Sequence, residues 1–211
     1  LCSGGGARCD YEALKYFTEF WCSDNTDPIE RIYIQWGFSQ FFPAKAMCAH
    51  VTGWNKSTSV KFRTDVASMC KLGFDIGLKE LTADELTYCQ TAVANWKRLQ
   101  NAIMDGDQYR LVSPYEGNHM ALNYVSKDTN KAVLFAYDIH PRFQEKLLAV
   151  KLQGLNPNKQ YKVEEINLMP AASSGLAANG KVYSGDYLMK VGLDVFGLGQ
   201  TQSRVIELTA Q

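Results

Sequence analysis

The sequence lacks a hydrophobic run long enough to cross a membrane, and it lacks an excess of charge of either sign. A spanning helix needs about 20 apolar residues, and no run in the chain approaches that length. Lys+Arg and Asp+Glu number 22 each, and neither half of the chain is basic. This balance gives no reason to expect nucleic acid or an anionic membrane surface as a partner.

The sequence also lacks the marks of a secreted or metal-binding chain. No signal peptide is visible, and because the first residue is not Met, we expect the upstream part of a longer protein to be missing. No CxxC pair is present and the His are not at zinc spacing, so we predict no metal and no cofactor. The cysteines fit free thiols and favour a reducing, cytoplasmic location; they are Cys2, Cys9, Cys22, Cys48, Cys70 and Cys89.

Two helices in the first half have clear start signals. Asp27 precedes Pro28, which suits the first helical position. Thr82 and Glu85 form a capping box, and we expect the helix that they begin to end near Gly106. The apolar face of the helix that Pro28 begins is predicted to contain Ile29, Ile32, Tyr33 and Trp36.

Two other helical patterns have weaker signals. In DYEALKYFTEF the apolar residues recur at a spacing of three, and Asp10 is placed to cap a helix there. The stretch SVKFRTDVASMCKLGF predicts a further helix that ends near Gly73. A strand end at Leu1 and a short strand before Ser23, each followed by a helix, indicate two βα units.

The second half changes to short stretches rich in β-branched and aromatic residues, separated by turn signals such as Asn156-Pro157-Asn158 and Asn179-Gly180. The pattern predicts an antiparallel β-sandwich. We place the boundary near residues 105–107, so that residues 1–105 and 106–211 form two domains. The predicted strands are QYRLVS, HMALNYVS, AVLFAYDI, KLLAVKL, YKVEEINL and SRVIELT.

Two polar stretches could serve a ligand. The glycines of Cys2-Ser3-Gly4-Gly5-Gly6 let the backbone approach a ligand, but no phosphate-loop motif is present, so a strained turn is the simpler interpretation. In WCSDNTDPIER, Asp27 is explained as a helix cap. Asp24 has no such explanation, and from the residues alone it is as consistent with loop structure as with general-acid chemistry beside an aromatic neighbour.

These stretches resemble one known family over nearly the whole chain. CSGGGARCD followed by WCSDNTDPIER is similar to the CSGGGGRxD and WPSDNTD motifs of glycoside hydrolase family 36, with the same spacing of 22 residues from Cys2 to Asp24. AMCAHVT looks like the AMGAHVS/T segment of that family. DGDQYRLVSPYE, YSGDYLMKVGLDV and SRVIELT resemble its C-terminal β-sandwich.

The resemblance implies a fold and a set of site residues. The implied fold is α/β plus all-β. It consists of the last βα units of a (β/α)8 barrel, which is built from eight such units, followed by an antiparallel β-sandwich domain. Asp24 matches the general acid/base. Cys2 and Gly5 match positions that line the galactose pocket, and Trp21 and Asn25 are neighbours of the acid. The nucleophile motif of the family, KWDxN, is absent from this sequence.

The implied activity is that of a retaining α-galactosidase acting on terminal α-galactosides of the melibiose and raffinose type. Because the chain contains only one of the two catalytic carboxylates, the acid/base without the nucleophile, it is predicted to be inactive alone. Its exposed helix faces, such as that of Ile29, Ile32 and Trp36, would be covered by the missing N-terminal part of the enzyme or by a homo-oligomer.

Three alternatives stay open at this stage. Residues 106–211 could be a non-catalytic carbohydrate-binding or structural module, although their aromatic residues are more typical of a core. The enzyme could be an α-N-acetylgalactosaminidase, but by resemblance Cys2 favours galactose. A plant-type galactosyl transferase is the weakest alternative.

Overall fold

The computed structural model describes residues 1–2, 8–53 and 57–211. Within them the helices are α1 Pro28–Phe38, α2 Val60–Ala67, α3 Ala83–Asp105 and α4 Gly185–Lys190. The strands are β1 Cys48–Thr52, β2 Lys71–Asp75, β3 Asp107–Val112, β4 His119–Val125, β5 Lys131–Asp138, β6 Gln160–Ile166, β7 Val182–Ser184 and β8 Gln202–Ala210. In this part of the chain, no helix is long and apolar enough to cross a membrane.

The first part of the chain contains four parallel segments rather than the two that the sequence indicates. Strands β1 and β2 pair in parallel. Parallel bridges from Cys2 to Trp21 and from Phe20 to Met47 add two shorter segments beside β1. Strand β1 is absent from the sequence prediction, and part of β2 is predicted as helix, because both strands are only five residues long and pair with a partner distant in the chain.

The two well-signalled helices are confirmed. Asp27 Oδ1 accepts hydrogen bonds from the backbone N–H groups of Ile29 and Glu30, and Pro28 begins α1. The capping box of Thr82 and Glu85 begins α3, which ends just before Gly106. Local side-chain chemistry therefore fixes where both helices begin.

The two weaker helix predictions are wrong in extent. After Asp10, the chain forms only a 3₁₀ turn, Ala13–Lys15, although Asp10 accepts a hydrogen bond from the Ala13 N–H. The ring of Tyr11 packs on Phe42, but most of the apolar stripe stays exposed, and a short helix gains little without a buried face. The exposed side chains of that region are Tyr11, Leu14, Tyr16 and Phe17. Helix α2 ends at Ala67, and the chain then enters β2 instead of staying helical to Gly73.

The apolar face of α1 is covered by this chain itself. Ile32 is fully buried and Trp36 is 7% exposed, and both pack in a core with β1, α2 and α3. The predicted exposure of Ile32 and Trp36 is therefore wrong, because other residues of this chain already bury them. Contact with a missing N-terminal part of the enzyme or with a second copy stays a prediction.

The second part of the chain is one antiparallel sheet of six strands, in the order β3-β4-β5-β8-β6-β7. The predicted strand KLLAVKL forms only an isolated bridge from Val150 to Leu193. Strands β4, β5 and β8 are buried on both faces. One face packs on α2 and α3, and the other packs on α4 and on coil that includes Leu152 and Leu176.

A buried carboxylate, Asp65 of α2, joins the helices of the first part to this sheet. Its Oδ1 accepts hydrogen bonds from Tyr88 Oη at 2.9 Å and Asn167 Nδ2 at 3.0 Å. Its Oδ2 accepts from Lys61 Nζ at 2.6 Å and Ser203 Oγ at 2.8 Å. Burial first, and then the negative charge of Asp65, raises the pKa of Tyr88, which keeps that hydroxyl a donor.

Replacing Asp65 is expected to destabilise the fold strongly. Asp65→Ala leaves Lys61 and three polar side chains without their acceptor, so the free energy of unfolding should fall by about 3–5 kcal/mol in urea titrations. A matched control is Asp186→Ala, which removes the same i,i+4 pairing with Lys190 on the surface and should cost at most about 0.5 kcal/mol. Equal losses in the two variants would contradict this role of Asp65.

Candidate active site

The carboxylate of Asp24 lies just past the C-terminal end of the segment that contains Trp21. The indole Nε1–H of Trp21 donates a hydrogen bond of 2.9 Å to Asp24 Oδ1. Cys2 Sγ, on the neighbouring parallel segment, lies 3.7 Å from the same oxygen. The structure therefore brings together three of the residues predicted from the sequence. Asp24 and Cys2 are exposed, so both can reach a ligand.

A cavity of about 250 Å³ opens beside Asp24. The ends of β1 and β2 contribute to it because parallel strands present their C-terminal ends at one edge, where functional side chains collect in α/β folds. It is lined by Trp21, Asp24, Thr26, His50, Thr52 and Asp75. Thr26, His50, Thr52 and Asp75 are not among the site residues predicted from the sequence. The last three lie on two strands that the sequence pattern did not reveal, although His50 lies in the AMCAHVT motif.

His50 stacks on Trp21, with ring centroids 4.6 Å apart and an interplanar angle of 29°. His50 lies opposite Gly73 in the parallel register. A Cβ at Gly73 would lie 2.5 Å from His50 Cδ2, so only glycine leaves this position of the imidazole open. Gly73 of β2 thus determines where His50 of β1 lies, and His50 is part of the cavity wall.

The other predicted site residues have different positions. Asn25 is exposed, and its Oδ1 accepts a hydrogen bond from the Asp27 N–H at 3.0 Å, so it shapes the turn between Asp24 and α1. The carboxylate of Asp27 caps α1, as predicted. Gly5 lies outside the residues that the structure describes.

The cysteines of the parallel segments are packing residues apart from Cys2. None of the six cysteines, all of which lie in the described ranges, forms a disulfide. Burial, and then the hydrogen bond with Glu19, raises the pKa of the Cys48 thiol to about 11. Burial also raises the pKa of Cys70. Since the thiolate is the nucleophile, these two groups are poor nucleophiles at neutral pH.

No group of three or more His, Cys, Asp and Glu side chains in the described ranges is arranged to hold a metal ion. A larger cavity of about 710 Å³ lies in the second part of the chain, where its lining includes His119, Leu148 and Phe196. It shares no lining residue with the cavity beside Asp24. The position of Asp24 at a strand end, rather than cavity size, identifies the candidate active site.

Comparison with known protein families gives two matches. The Melibiase family matches residues 1–106, and the family described as the glycosyl hydrolase family 36 C-terminal domain matches residues 119–208. The chain belongs to glycoside hydrolase family 36, which confirms the resemblance found in its motifs.

Individual relatives agree with this assignment. Alpha-galactosidase 2 of Hypocrea jecorina is 32% identical over 216 residues, and alpha-galactosidase AgaA of Geobacillus stearothermophilus is 34% identical over 197 residues. These alignments include 100% and 91% of this chain. The chain spans 27% and 25% of the length of these relatives.

Solved structures of the family have the same fold over this segment. The α-galactosidase AgaB of Geobacillus stearothermophilus superposes with a TM-score of 0.87 at 33% identity, covering 100% of this chain and 28% of its own. A variant of AgaA in complex with raffinose gives a TM-score of 0.87 at 31% identity, with the same coverage. A variant of AgaA in complex with stachyose gives 0.86 at 32% identity, covering 98% and 28%.

Adding a side chain at position 73 is expected to displace His50 from Trp21. In Gly73→Ala the new Cβ would overlap the imidazole, so the Cδ2–H resonance of His50 should lose its ring-current shift in NMR spectra. The control is Gly53→Ala, whose Cβ would be an ordinary 3.5 Å from its nearest neighbour and should leave the resonance unchanged. A His50 resonance that is unchanged in Gly73→Ala would contradict this dependence.

Proposed function

We propose that this chain is part of a retaining α-galactosidase and that Asp24 is its general acid/base. The observation that carries the proposal is the position of the Asp24 carboxylate. It lies at the C-terminal end of a parallel segment, where it accepts the Trp21 N–H and faces Cys2. Membership of glycoside hydrolase family 36 and the α-galactosidase names of the relatives support the reaction class.

The fold supports a barrel as the setting of the site. The four parallel segments, from Leu1 to β2, equal half of the strands that a (β/α)8 barrel requires. Catalytic residues of such barrels lie at the C-terminal ends of the strands. We therefore assign residues 1–105 to the last part of a catalytic barrel and residues 106–211 to a C-terminal β-sandwich domain that packs on it.

In the proposed reaction, Asp24 protonates the glycosidic oxygen as the bond breaks. It then takes a proton from the water that releases the sugar. A second carboxylate, about 5–5.5 Å away in retaining enzymes, attacks the anomeric carbon. The resemblance assigns that nucleophile to a motif that this sequence does not contain. The substrate class is terminal α-galactosides of the melibiose and raffinose type.

The alternatives have less support from the structure. A sugar platform on the second part needs exposed aromatic faces. Tyr115, Phe143 and Tyr187 are exposed, but the large aromatic residues at the centre of the second part are core residues: Tyr124, Phe135, Tyr137 and Tyr161. The distance of 3.7 Å from Cys2 Sγ to Asp24 Oδ1 supports a role for the thiol beside the proposed acid. By resemblance, this favours galactose over an acetamido sugar.

A hybrid enzyme tests the role of Asp24. In it, this chain replaces the matching segment of AgaA from Geobacillus stearothermophilus, and hydrolysis of an aryl α-galactoside is measured. Asp24→Asn should lower kcat/KM by roughly 10²–10⁴-fold, because the leaving oxygen loses its proton donor. Asp27→Asn is the matched control, since Asn caps a helix as well as Asp does and should leave the rate close to that of the parent hybrid.

Comparing substrates with different leaving groups distinguishes a loss of acid catalysis from a loss of folded enzyme in the same experiment. A dinitrophenyl α-galactoside needs little protonation, so its glycosylation step should be far less sensitive to Asp24→Asn. Activity of Asp24→Asn equal to that of the parent hybrid on both substrates would contradict the proposal.

The chain alone is expected to show no turnover of an aryl α-galactoside, because it supplies one carboxylate of the catalytic pair. The test is a prolonged assay of the pure 211-residue chain with the hybrid as positive control. Turnover that disappears in Asp24→Asn would show that the second carboxylate is also in this chain.

A further inference from the structure

A buried arginine, Arg31 of α1, lies behind the candidate acid. It is 3% exposed, and its guanidinium carbon lies 4.9 Å from the centroid of the Trp21 ring. Its Nη1 donates to the carbonyl oxygen of Ser23 at 3.2 Å. Its Nη2 donates to the carbonyl oxygen of Cys48 at 3.2 Å. The side chain thus contacts residues on both sides of Cys22 and the first residue of β1.

The surroundings of this charge are unusual for a buried arginine. Among the described residues, no carboxylate oxygen lies within 4.0 Å of the Arg31 guanidinium nitrogens. Carbonyl dipoles, the indole ring and Gln35 compensate the charge instead. A buried charge that is left uncompensated lowers the stability of the fold by on the order of several kcal/mol. The arrangement therefore holds only while these neutral groups stay in place around the guanidinium.

The orientation of the guanidinium is fixed from its far side. Gln35, one turn further along α1, accepts from Arg31 Nε at 3.4 Å and donates from its own Nε2 to the carbonyl oxygen of Val66 at 2.9 Å. The amide thus links Arg31 to α2. A planar group held at its base can present its remaining N–H groups in only one direction, which is toward Ser23, Cys22 and Cys48.

We propose that Arg31 is a positioning residue for Asp24, which acts through the Trp21 ring and the Ser23 carbonyl. This proposal rests on the proposed function. The ring contact holds the indole whose N–H is bonded to Asp24 Oδ1, and the carbonyl contact fixes the peptide that directly precedes Asp24. The carboxylate can then be exposed to substrate and still have one orientation.

Two substitutions in the hybrid enzyme test the two ends of this connection. Trp21→Phe keeps an aromatic ring for Arg31 but removes the N–H donor. Arg31→Lys keeps the charge but cannot reach the separate acceptors with one planar fork. Each should lower kcat by about 10- to 100-fold for a poor leaving group, with KM nearly unchanged and little loss for a dinitrophenyl leaving group.

The dependence on the leaving group gives a readout that a purely structural role would not change. Trp21→Phe removes the N–H that bonds Asp24 Oδ1, so the loss should be larger for a poor leaving group, which needs protonation, than for a dinitrophenyl group. The matched control is Arg110→Lys, whose guanidinium also donates to a backbone carbonyl, that of Ser39 at the other end of α1. It should lower Tm without changing the leaving-group dependence.

The outcomes distinguish this proposal from the one on which it rests. Loss of activity in Asp24→Asn, together with unchanged kinetics in Trp21→Phe, would overturn the positioning role and leave the acid/base assignment intact. Trp21 is only half-buried, so Trp21→Phe tests the indole step of this connection even if Arg31→Lys fails to fold. A loss in Arg31→Lys that is equal for good and poor leaving groups would also overturn it.

Discussion

The first part of the chain and the six-stranded sheet depend on one buried carboxylate, that of Asp65. It takes hydrogen bonds from α2, from α3, from the end of β6 and from β8, while Tyr137 of β5 donates to its backbone carbonyl oxygen. A buried charge with this many donors tolerates little displacement of any of them. It therefore fixes how α2 lies on the sheet, and apolar packing alone would specify that position less sharply.

The candidate site depends on this constraint through the strand β2. Helix α2 packs on the sheet by one face and leads directly into β2, whose glycine leaves space for His50 on the neighbouring strand. His50 in turn stacks on Trp21, which is bonded to Asp24. The sheet far from the acid is thus more than an appendage, because it supports the helix that determines where β2 and its side chains lie.

The sequence predicts the parts of this structure that are encoded within a few residues. Two helix starts are determined by neighbouring residues, Asp27 with Pro28 and Thr82 with Glu85. Both helices begin where predicted. The strands β1 and β2 and the loss of the helix near Tyr11 depend on partners distant in the chain, which no local period reveals. The same limit applies to the cavity. The WCSDNTDPIER motif predicts Asp24, but His50, Thr52 and Asp75 come to line the cavity only through the pairing of β1 with β2.

A general acid in a cleft must meet two opposed requirements, access to the substrate and a single orientation. Asp24, the proposed acid, has the access, since it is exposed, but an exposed carboxylate is free to rotate unless a neighbour restrains it. Here the restraint comes from a half-buried indole, whose ring in turn touches a buried guanidinium. Rigidity decreases step by step from the core to the solvent, so the last group in the series can meet substrate without losing its direction.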